Sequence, residues 1–170
     1  AAQAISSLYR TKDFKIFTTI IVLSLLIFYS YLTVRQNVYW GEPSSFYART
    51  LKYAPNSSKV FYNLGNAYEA VNKNEEAIAS YKKAIEIKPD YVEAYNNLGV
   101  VYTAVNRKEE AVVSYKKAIE MKADYAEAYN NLGAVYTALN RKEEAVVSYK
   151  KAIEIKADYA EPYNNLGSIY

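Results

Sequence analysis

The chain has 170 residues, with 21 Lys/Arg against 18 Asp/Glu for a net charge of +3, and it contains neither Cys nor His. That length suits one ordinary domain, or an anchor plus a small array. The composition excludes a Cys/His zinc site, a disulfide framework and any Cys- or His-based catalytic centre. The positive excess is local. From Ser58 onward fifteen Lys/Arg face sixteen Asp/Glu, whereas the part before Ser58 holds six (Arg10, Lys12, Lys15, Arg35, Arg49, Lys52) against Asp13 and Glu42. Lys and Glu interspersed in this way mark solvated helix faces, not the clustered basic footprint of nucleic-acid binding, so no nucleic-acid partner is expected.

Residues 1–15 form a basic flank, and residues 16–34 then carry no charge at all. As a helix these 19 residues span about 28 Å, close to the hydrocarbon thickness of about 30 Å. Twelve of them are Leu, Ile, Phe or Val, which favours insertion by roughly 4 to 7 kcal/mol before the Thr, Ser and Tyr residues take part back. The run ends in Arg35, Gln36 and Asn37, with no small-residue cleavage site, and shows no polar stripe. A transmembrane helix is therefore expected, with the bilayer as partner, in preference to a signal peptide or a soluble core helix. Tyr29, Tyr31, Tyr39 and Trp40 crowd its far end as an interfacial belt. Arg10, Lys12 and Lys15 at the near end outweigh Arg35 at the far end, which places the N-terminus in the cytoplasm and the rest on the outer side. A chain that opens on Ala1 reads as processed or as a fragment.

Residues 35–57 are a juxtamembrane segment. Within it, Ser44 to Tyr53 reads as a lone second helix of a degenerate repeat: Tyr47 stands 34 positions before Tyr81, and Pro55 stands 34 before Pro89. Asn56-Ser57-Ser58 is a formal N-glycosylation sequon.

Beyond this point the chain repeats itself. Gly65, Gly99, Gly133 and Gly167 stand 34 apart, each closing an Asn-Leu-Gly triplet and each followed three positions later by Tyr68, Tyr102, Tyr136 or Tyr170. The units run 58–91, 92–125, 126–159 and, in part, 160–170. Gly and Ala let the two helices of a hairpin approach, and Tyr fills the space beside them with its hydroxyl at the edge. Asn72, Asn106 and Asn140 fall at the turn within each hairpin, where Asn tolerates the left-handed conformation. Asp90, Asp124 and Asp158, with Glu93, Glu127 and Glu161 three positions on, are expected as capping boxes. The Glu pairs 75–76, 109–110 and 143–144 open second helices, where acids suit the positive end of the helix dipole. They do not face one another as a catalytic pair would. The Lys pairs 82–83, 116–117 and 150–151 read as solvated faces or partners of Glu.

A helical period of about 34 residues marks the chain as resembling the tetratricopeptide-repeat (TPR) family. Phe61, Leu64, Gly65, Tyr68, Ala77, Tyr81, Ala84 and Pro89 match the family's packing positions. Tyr95, Leu98, Gly99, Tyr102, Ala111, Tyr115 and Ala118 do so in the next unit, and Tyr129, Leu132, Gly133, Tyr136, Ala145, Tyr149 and Ala152 in the one after it. Ala123 and Ala157 replace the family's Pro. The resemblance implies an all-α, right-handed solenoid of helical hairpins with no cofactor, no metal and no catalytic residues.

It also implies that the first helix of each repeat lines a concave groove that holds a protein or peptide. The matching positions are Lys59, Tyr62, Asn66, Glu69, Glu93, Asn96, Val100, Thr103, Glu127, Asn130, Ala134 and Thr137. Asn97 and Asn131 fall where the family contacts peptide backbone, although they serve equally well as bridges between repeats. TPRs that grip a C-terminal carboxylate need Lys and Arg in this groove. Only Asn66 and Asn97 fit that pattern here, so that activity is not expected.

The membrane exit carries a second resemblance. Thr33, Arg35, Asn37 and Trp40 are similarly placed after the last span of transmembrane-and-TPR proteins that resemble dolichyl-phosphate-mannose protein O-mannosyltransferases. That family's catalytic acids lie in early lumenal loops absent from this chain, so the resemblance implies a non-catalytic tail. The leading expectation is a membrane-anchored interaction scaffold, an accessory or assembly subunit of a membrane complex. The alternatives are that tail, or a self-stacking filament subunit. Repeats two and three differ only at Val92/Ala126, Val100/Ala134, Val105/Leu139 and Met121/Ile155, a sign of recent duplication. The unpaired helix that ends at Tyr170 leaves an apolar face open. The array is expected to continue, or another copy or partner to cover that end.

Overall fold

The computed structural model describes residues 12–41 and 43–169, with side chains for 14–34 and 45–169. Among them are nine α-helices and no strand. The chain divides into two compact units, one to Ser45 and one from Phe46. The charges at Arg10, Lys12, Asp13, Arg35 and Glu42, the side chains of Asn37, Tyr39 and Trp40, and Tyr170 lie outside the described residues.

In the first unit, α1 runs unbroken from Lys12 to Gly41, past the Val34 at which the uncharged run stops. The stretch Phe14–Val34 has 21 residues and a mean hydropathy of 2.0, long and apolar enough to cross a membrane, and none of its most apolar window is buried. Four of its hydroxyls are closed internally. Thr18 donates to the Phe14 and Lys15 carbonyls at 3.0 and 2.9 Å, Thr19 to Lys15 at 2.8 Å, Ser24 to Ile20 at 2.8 Å and Thr33 to Tyr29 at 2.8 Å. A hydroxyl bonded back to its own helix costs less among lipid tails than an open one.

In the second unit the helices follow as α2 (Pro43–Thr50, which begins just before the division), α3 (Ser58–Glu69), α4 (Asn74–Ile87), α5 (Val92–Ala104), α6 (Lys108–Met121), α7 (Ala126–Ala138), α8 (Lys142–Ile155) and α9 (Ala160–Gly167). The short α2 ends before the expected Tyr53. Residues 51–53 form a turn in which the Ala54 N–H bonds the Thr50 carbonyl at 2.9 Å, because the residue before Pro55 is steered away from helical backbone. The pairs α3–α4, α5–α6 and α7–α8 are hairpins, each packed on the next, and α9 packs on α8 and α7. The first helix of each hairpin, and α9, is termed helix A, and the second is helix B.

The hairpin turns are set by Asn. Asn72, Asn106 and Asn140 have φ of 57°, 61° and 59°, and no other non-Gly described residue has positive φ. Around Asn106, the Arg107 N–H bonds the Tyr102 carbonyl at 2.8 Å and the Asn106 N–H bonds Thr103 at 3.0 Å. This is the paired closure of a Schellman motif. Lys73/Asn72 and Arg141/Asn140 repeat it.

The restarts differ from expectation. Helices α5, α7 and α9 are capped by Tyr91, Tyr125 and Tyr159, with no side-chain capping bond. The expected capping boxes at Asp90, Asp124 and Asp158 do not form. Each helix starts one position later than a box requires, which moves Glu93, Glu127 and Glu161 to the second helical position. The Tyr carbonyl takes over the opening: that of Tyr91 accepts from Ala94 and Tyr95 at 3.1 and 3.2 Å. Helix α3, by contrast, has a side-chain cap, Ser57 accepting from the Val60 N–H at 3.4 Å.

The core lies between helices A and B. Tyr81, Tyr115 and Tyr149 are almost wholly buried, amid Ala77, Ala84, Ala111, Ala118, Ala145 and Ala152 at 0 % exposure. Each Tyr ring lies across the glycine of the preceding helix A. A Cβ on Gly65, Gly99 or Gly133 would stand 2.5, 2.6 or 2.7 Å from Tyr81, Tyr115 or Tyr149. Glycine is required at these three positions because the ring occupies the place of a side chain.

Candidate functional site: the helix A face

Four helix A segments, α3, α5, α7 and α9, carry the expected groove. Exposure separates its members. Glu93, Thr103, Glu127 and Thr137 are exposed, with Lys59 and Ala134. Tyr62, Asn66, Asn97, Val100 and Asn131 are partly buried, as is Glu69. Asn96 and Asn130, expected to line the groove, are instead 1 % exposed. They lie beneath the surface because neighbouring repeats close over them. The Asn130 Oδ1 accepts from Asn165 Nδ2, of the following repeat, at 3.1 Å. Asn131 stands in the corresponding place for Asn96, yet Asn96 Oδ1 has no partner.

The partly buried members hold the array together. Asn97 Nδ2 donates across the repeat boundary to Tyr62 Oη at 3.2 Å and Asn66 Oδ1 at 3.1 Å. The Tyr81 hydroxyl lies 2.7 Å from Asn66 Oδ1 and 2.6 Å from Glu69 Oε2, its single proton shared between them. Burial first, then the Glu69 bond, pushes Tyr81 far above the usual phenol range. Thr137 stands toward Tyr149 where Glu69 stands toward Tyr81, twelve positions earlier in the chain, but without a charge. Its hydroxyl is 3.4 Å from the Tyr149 hydroxyl and donates to the Gly133 carbonyl at 3.0 Å. Thr103 donates likewise to Gly99 at 2.9 Å. Val100 packs on the hydrophobic core.

The three capping tyrosines, at the connections between repeats, are expected from the sequence to be exposed and are not among the residues expected at the site. Tyr91, Tyr125 and Tyr159 are half-buried where helix B hands over to the next helix A. The Tyr91 ring lies 4.9 Å from that of Tyr62. Lys88, Lys122 and Lys156 set their ammonium groups over Tyr91, Tyr125 and Tyr159 at 5.0, 5.0 and 5.6 Å. Burial, reinforced by Glu127 and Glu93, raises Tyr125 to about 12. Burial and Glu161 raise Tyr159 to about 12. The signal was present in the sequence as Lys-x-x-Tyr-x-Glu at 88–93, 122–127 and 156–161, in the same period as the glycines.

Charge is arranged differently on the two helix types. On helix B and its cap residues, Lys83–Glu86 (2.7 Å), Arg107–Glu110 (2.7 Å), Lys117–Glu120 (2.8 Å), Lys151–Glu154 (2.8 Å) and Arg141–Glu144 are ion pairs three positions apart. On helix A, Glu69, Glu93, Glu127 and Glu161 have no cation within ion-pair distance among the described residues. Apolar clefts lie between helix A and helix B residues. One of about 440 Å³ lies between Ile85, Tyr95, Leu98, Tyr102 and Val113, with Lys82, Lys117, Glu109 and Glu110 at its rim. Its counterpart one repeat on, about 310 Å³, is lined by Leu132, Tyr136 and Val147.

The chain shares these features with known proteins. A family model for the TPR repeat matches residues 70–106, 101–140 and 135–170, and a tetratricopeptide-repeat model matches 46–79. The curated Protein O-mannosyl-transferase TMTC1 of Homo sapiens is 36 % identical over 67 residues, which are 38 % of this chain and 8 % of that protein. The chain therefore spans less than a tenth of that relative's length. A crystal structure of MamA aligns with a TM-score of 0.70 and 31 % identity, over 73 % of this chain and 72 % of that one. The first TPR of Spaghetti (RPAP3), solved with the HSP90 peptide SRMEEVD, aligns with a TM-score of 0.65 and 27 % identity, over 66 % of this chain and 90 % of that one. The chain belongs to the tetratricopeptide-repeat family, whose helical arrays are protein–protein interaction scaffolds.

Proposed function

We propose that the chain is a membrane-anchored scaffold whose helix A face holds an extended segment of a partner protein. The observation that carries this reading is the row of exposed polar groups on successive helix A segments, Glu93 with Thr103 and Glu127 with Thr137, in which the two carboxylates have no ion-pair partner among the described residues. RPAP3, similar in fold, was solved holding a peptide. The peptide in that complex ends in acidic residues, whereas here Asn66 and Asn97 bond each other and Glu127 brings a negative charge. A carboxylate end is therefore not the ligand. The bilayer is engaged through α1, whose apolar side chains from Ile16 to Val34 need a cover other than water.

The test is site-specific photo-crosslinking in native membranes from Thr103 and Thr137, which are exposed; Asn96 and Asn130 are unsuitable because they are buried. Recurrent capture of one protein from both positions, lost when the crosslinker is moved to exposed Lys116 on helix B, supports the reading. Capture equal from both faces, or from neither, removes it. Topology with an inner N-terminus and outer repeats is tested by single Cys substitutions, since the chain has no native Cys. Val113→Cys, at a position 61 % exposed, should react with a membrane-impermeant maleimide added outside intact cells.

The match to TMTC1 supports a second reading, in which the chain is the non-catalytic TPR part of a multi-spanning O-mannosyltransferase.

A further inference from the structure

The proposed groove has a charge register of its own. Lys59, Glu93, Glu127 and Glu161 recur once per repeat, at the same place near the start of α3, α5, α7 and α9, and all four are exposed. None is engaged in an ion pair among the described residues. Glu161 accepts the Tyr159 hydroxyl at 3.1 Å, a neutral donor that leaves its charge in place. The cations nearest in sequence, Lys88, Lys122 and Lys156, are placed over the tyrosine rings instead. Negative charge at the second helical position is favoured by the helix dipole, so the three carboxylates suit this place without a paired cation.

A second observation lies one helical turn from Glu93 on the same side of α5. Asn96 is 1 % exposed, and its Oδ1 has no hydrogen-bond partner. A buried acceptor left open is costly, and a small turn of the Asn96 amide that lets a bound donor reach it removes the cost.

The spacing sets the ligand. Packed helices lie about 8–10 Å apart, and an extended chain advances about 3.3 Å per residue, so successive charges on the row meet every third residue of an extended segment. Resting on the groove reading above, we propose that the occupant is a basic extended segment of a partner protein, with Lys or Arg at three positions spaced by three to face Glu93, Glu127 and Glu161, and an acidic residue one further step along to face Lys59. Tyr91, Tyr125 and Tyr159 stand two positions before the three carboxylates, and the edge of each ring supplies apolar surface to the aliphatic stem of a Lys or Arg.

The experiment uses the full chain in nanodiscs of neutral lipid, with fluorescein-labelled peptides of the pattern Glu-x-x-Lys-x-x-Lys-x-x-Lys read in both directions, the x positions being Ser and Gly. One of the two directions should bind at least about tenfold more tightly than its charge-reversed form or than peptides with two- or four-residue spacing. Binding should weaken as salt is raised. The double variant Glu93→Lys/Glu127→Lys, at exposed positions, should reverse the preference while leaving the helical circular dichroism unchanged. Thr103 and Thr137 crosslinkers separate the two claims. If they capture a partner whose bound segment is neutral or acidic, or if spacing has no effect, the basic register is wrong and the groove stands. If they capture nothing and no peptide binds, the groove reading fails and takes the register with it.

Discussion

Helices α5 and α9 share the run Tyr-Asn-Asn-Leu-Gly, at Tyr95–Gly99 and Tyr163–Gly167, yet the two copies have different surroundings. In α5, Leu98 is 5 % exposed and Gly99 lies under the Tyr115 ring. In α9, Leu166 is only partly buried, Tyr163 is 48 % exposed and Gly167 faces open space. The exit differs as well. Helix α5 ends on left-handed Asn106, whereas α9 stops on Ser168 at φ −78°. One motif thus encodes a helix with a smooth patch, and only a following helix B turns the patch into a packed seat. This is the expected behaviour of an array in which each repeat is stabilised by its neighbours.

Removing the ring should have the greatest effect on the seated copy. Tyr115→Ala should cost about 3–5 kcal/mol, read as a large drop in the thermal midpoint of the full chain in detergent. A drop of less than about 1 kcal/mol would mean that the seat is not packed as described. Next in size, Gly99→Ala places a methyl 2.6 Å from Tyr115 and should cost about 1–3 kcal/mol through overpacking. The same change at Gly167 should be neutral or stabilising by up to about 1 kcal/mol, because Ala is the better helix former and nothing is displaced. Equal effects at the two sites would erase the distinction between seated and open glycine. Asn106→Ala should cost about 1–2 kcal/mol, since Ala pays the left-handed penalty that Asn relieves, and Ser168→Ala should have no such cost.

The smallest effect is a pH dependence. Tyr125 and Tyr159, at the starts of α7 and α9, are both raised to about 12, chiefly by burial. An acid whose folded pKa lies above its unfolded value of about 10 contributes stability that is complete below pH 10 and is lost as pH rises toward 12. The thermal midpoint should therefore fall between pH 10 and pH 12. In absorbance titrations, Tyr125→Phe and Tyr159→Phe should each remove one late-ionising phenol. If only Tyr125→Phe does so, the terminal helix frays in solution and Tyr159 titrates like a free tyrosine.

Much of this architecture was legible beforehand, because it depends on local chemistry. The apolar run from Ile16 to Val34 lies in a helix long and apolar enough to cross a membrane. The left-handed turns at Asn72, Asn106 and Asn140 follow from the side chain that best tolerates positive φ. The glycine–tyrosine pairing follows from a repeat period that aligns small and large residues on facing helices. The expected capping boxes failed because Asp-x-x-Glu is satisfied by spacing alone. In the fold, Tyr91, Tyr125 and Tyr159 take the cap position, and the Tyr91 and Tyr125 carbonyls accept the opening N–H bonds of their helices.

The helices, their period and the apolar span could be read from the amino-acid sequence without a structure, since side-chain volume, backbone preference and hydrophobicity act residue by residue. Which polar residues stay open to solvent was settled by tertiary packing. Asn96 and Asn130 lie under the next repeat while Glu93 and Glu127, three positions earlier, stay in solvent, and lysines that look free in the sequence lie against tyrosine rings. Exposure and charge pairing depend on what a neighbouring helix covers, and a periodic sequence repeats the residue without stating the neighbour.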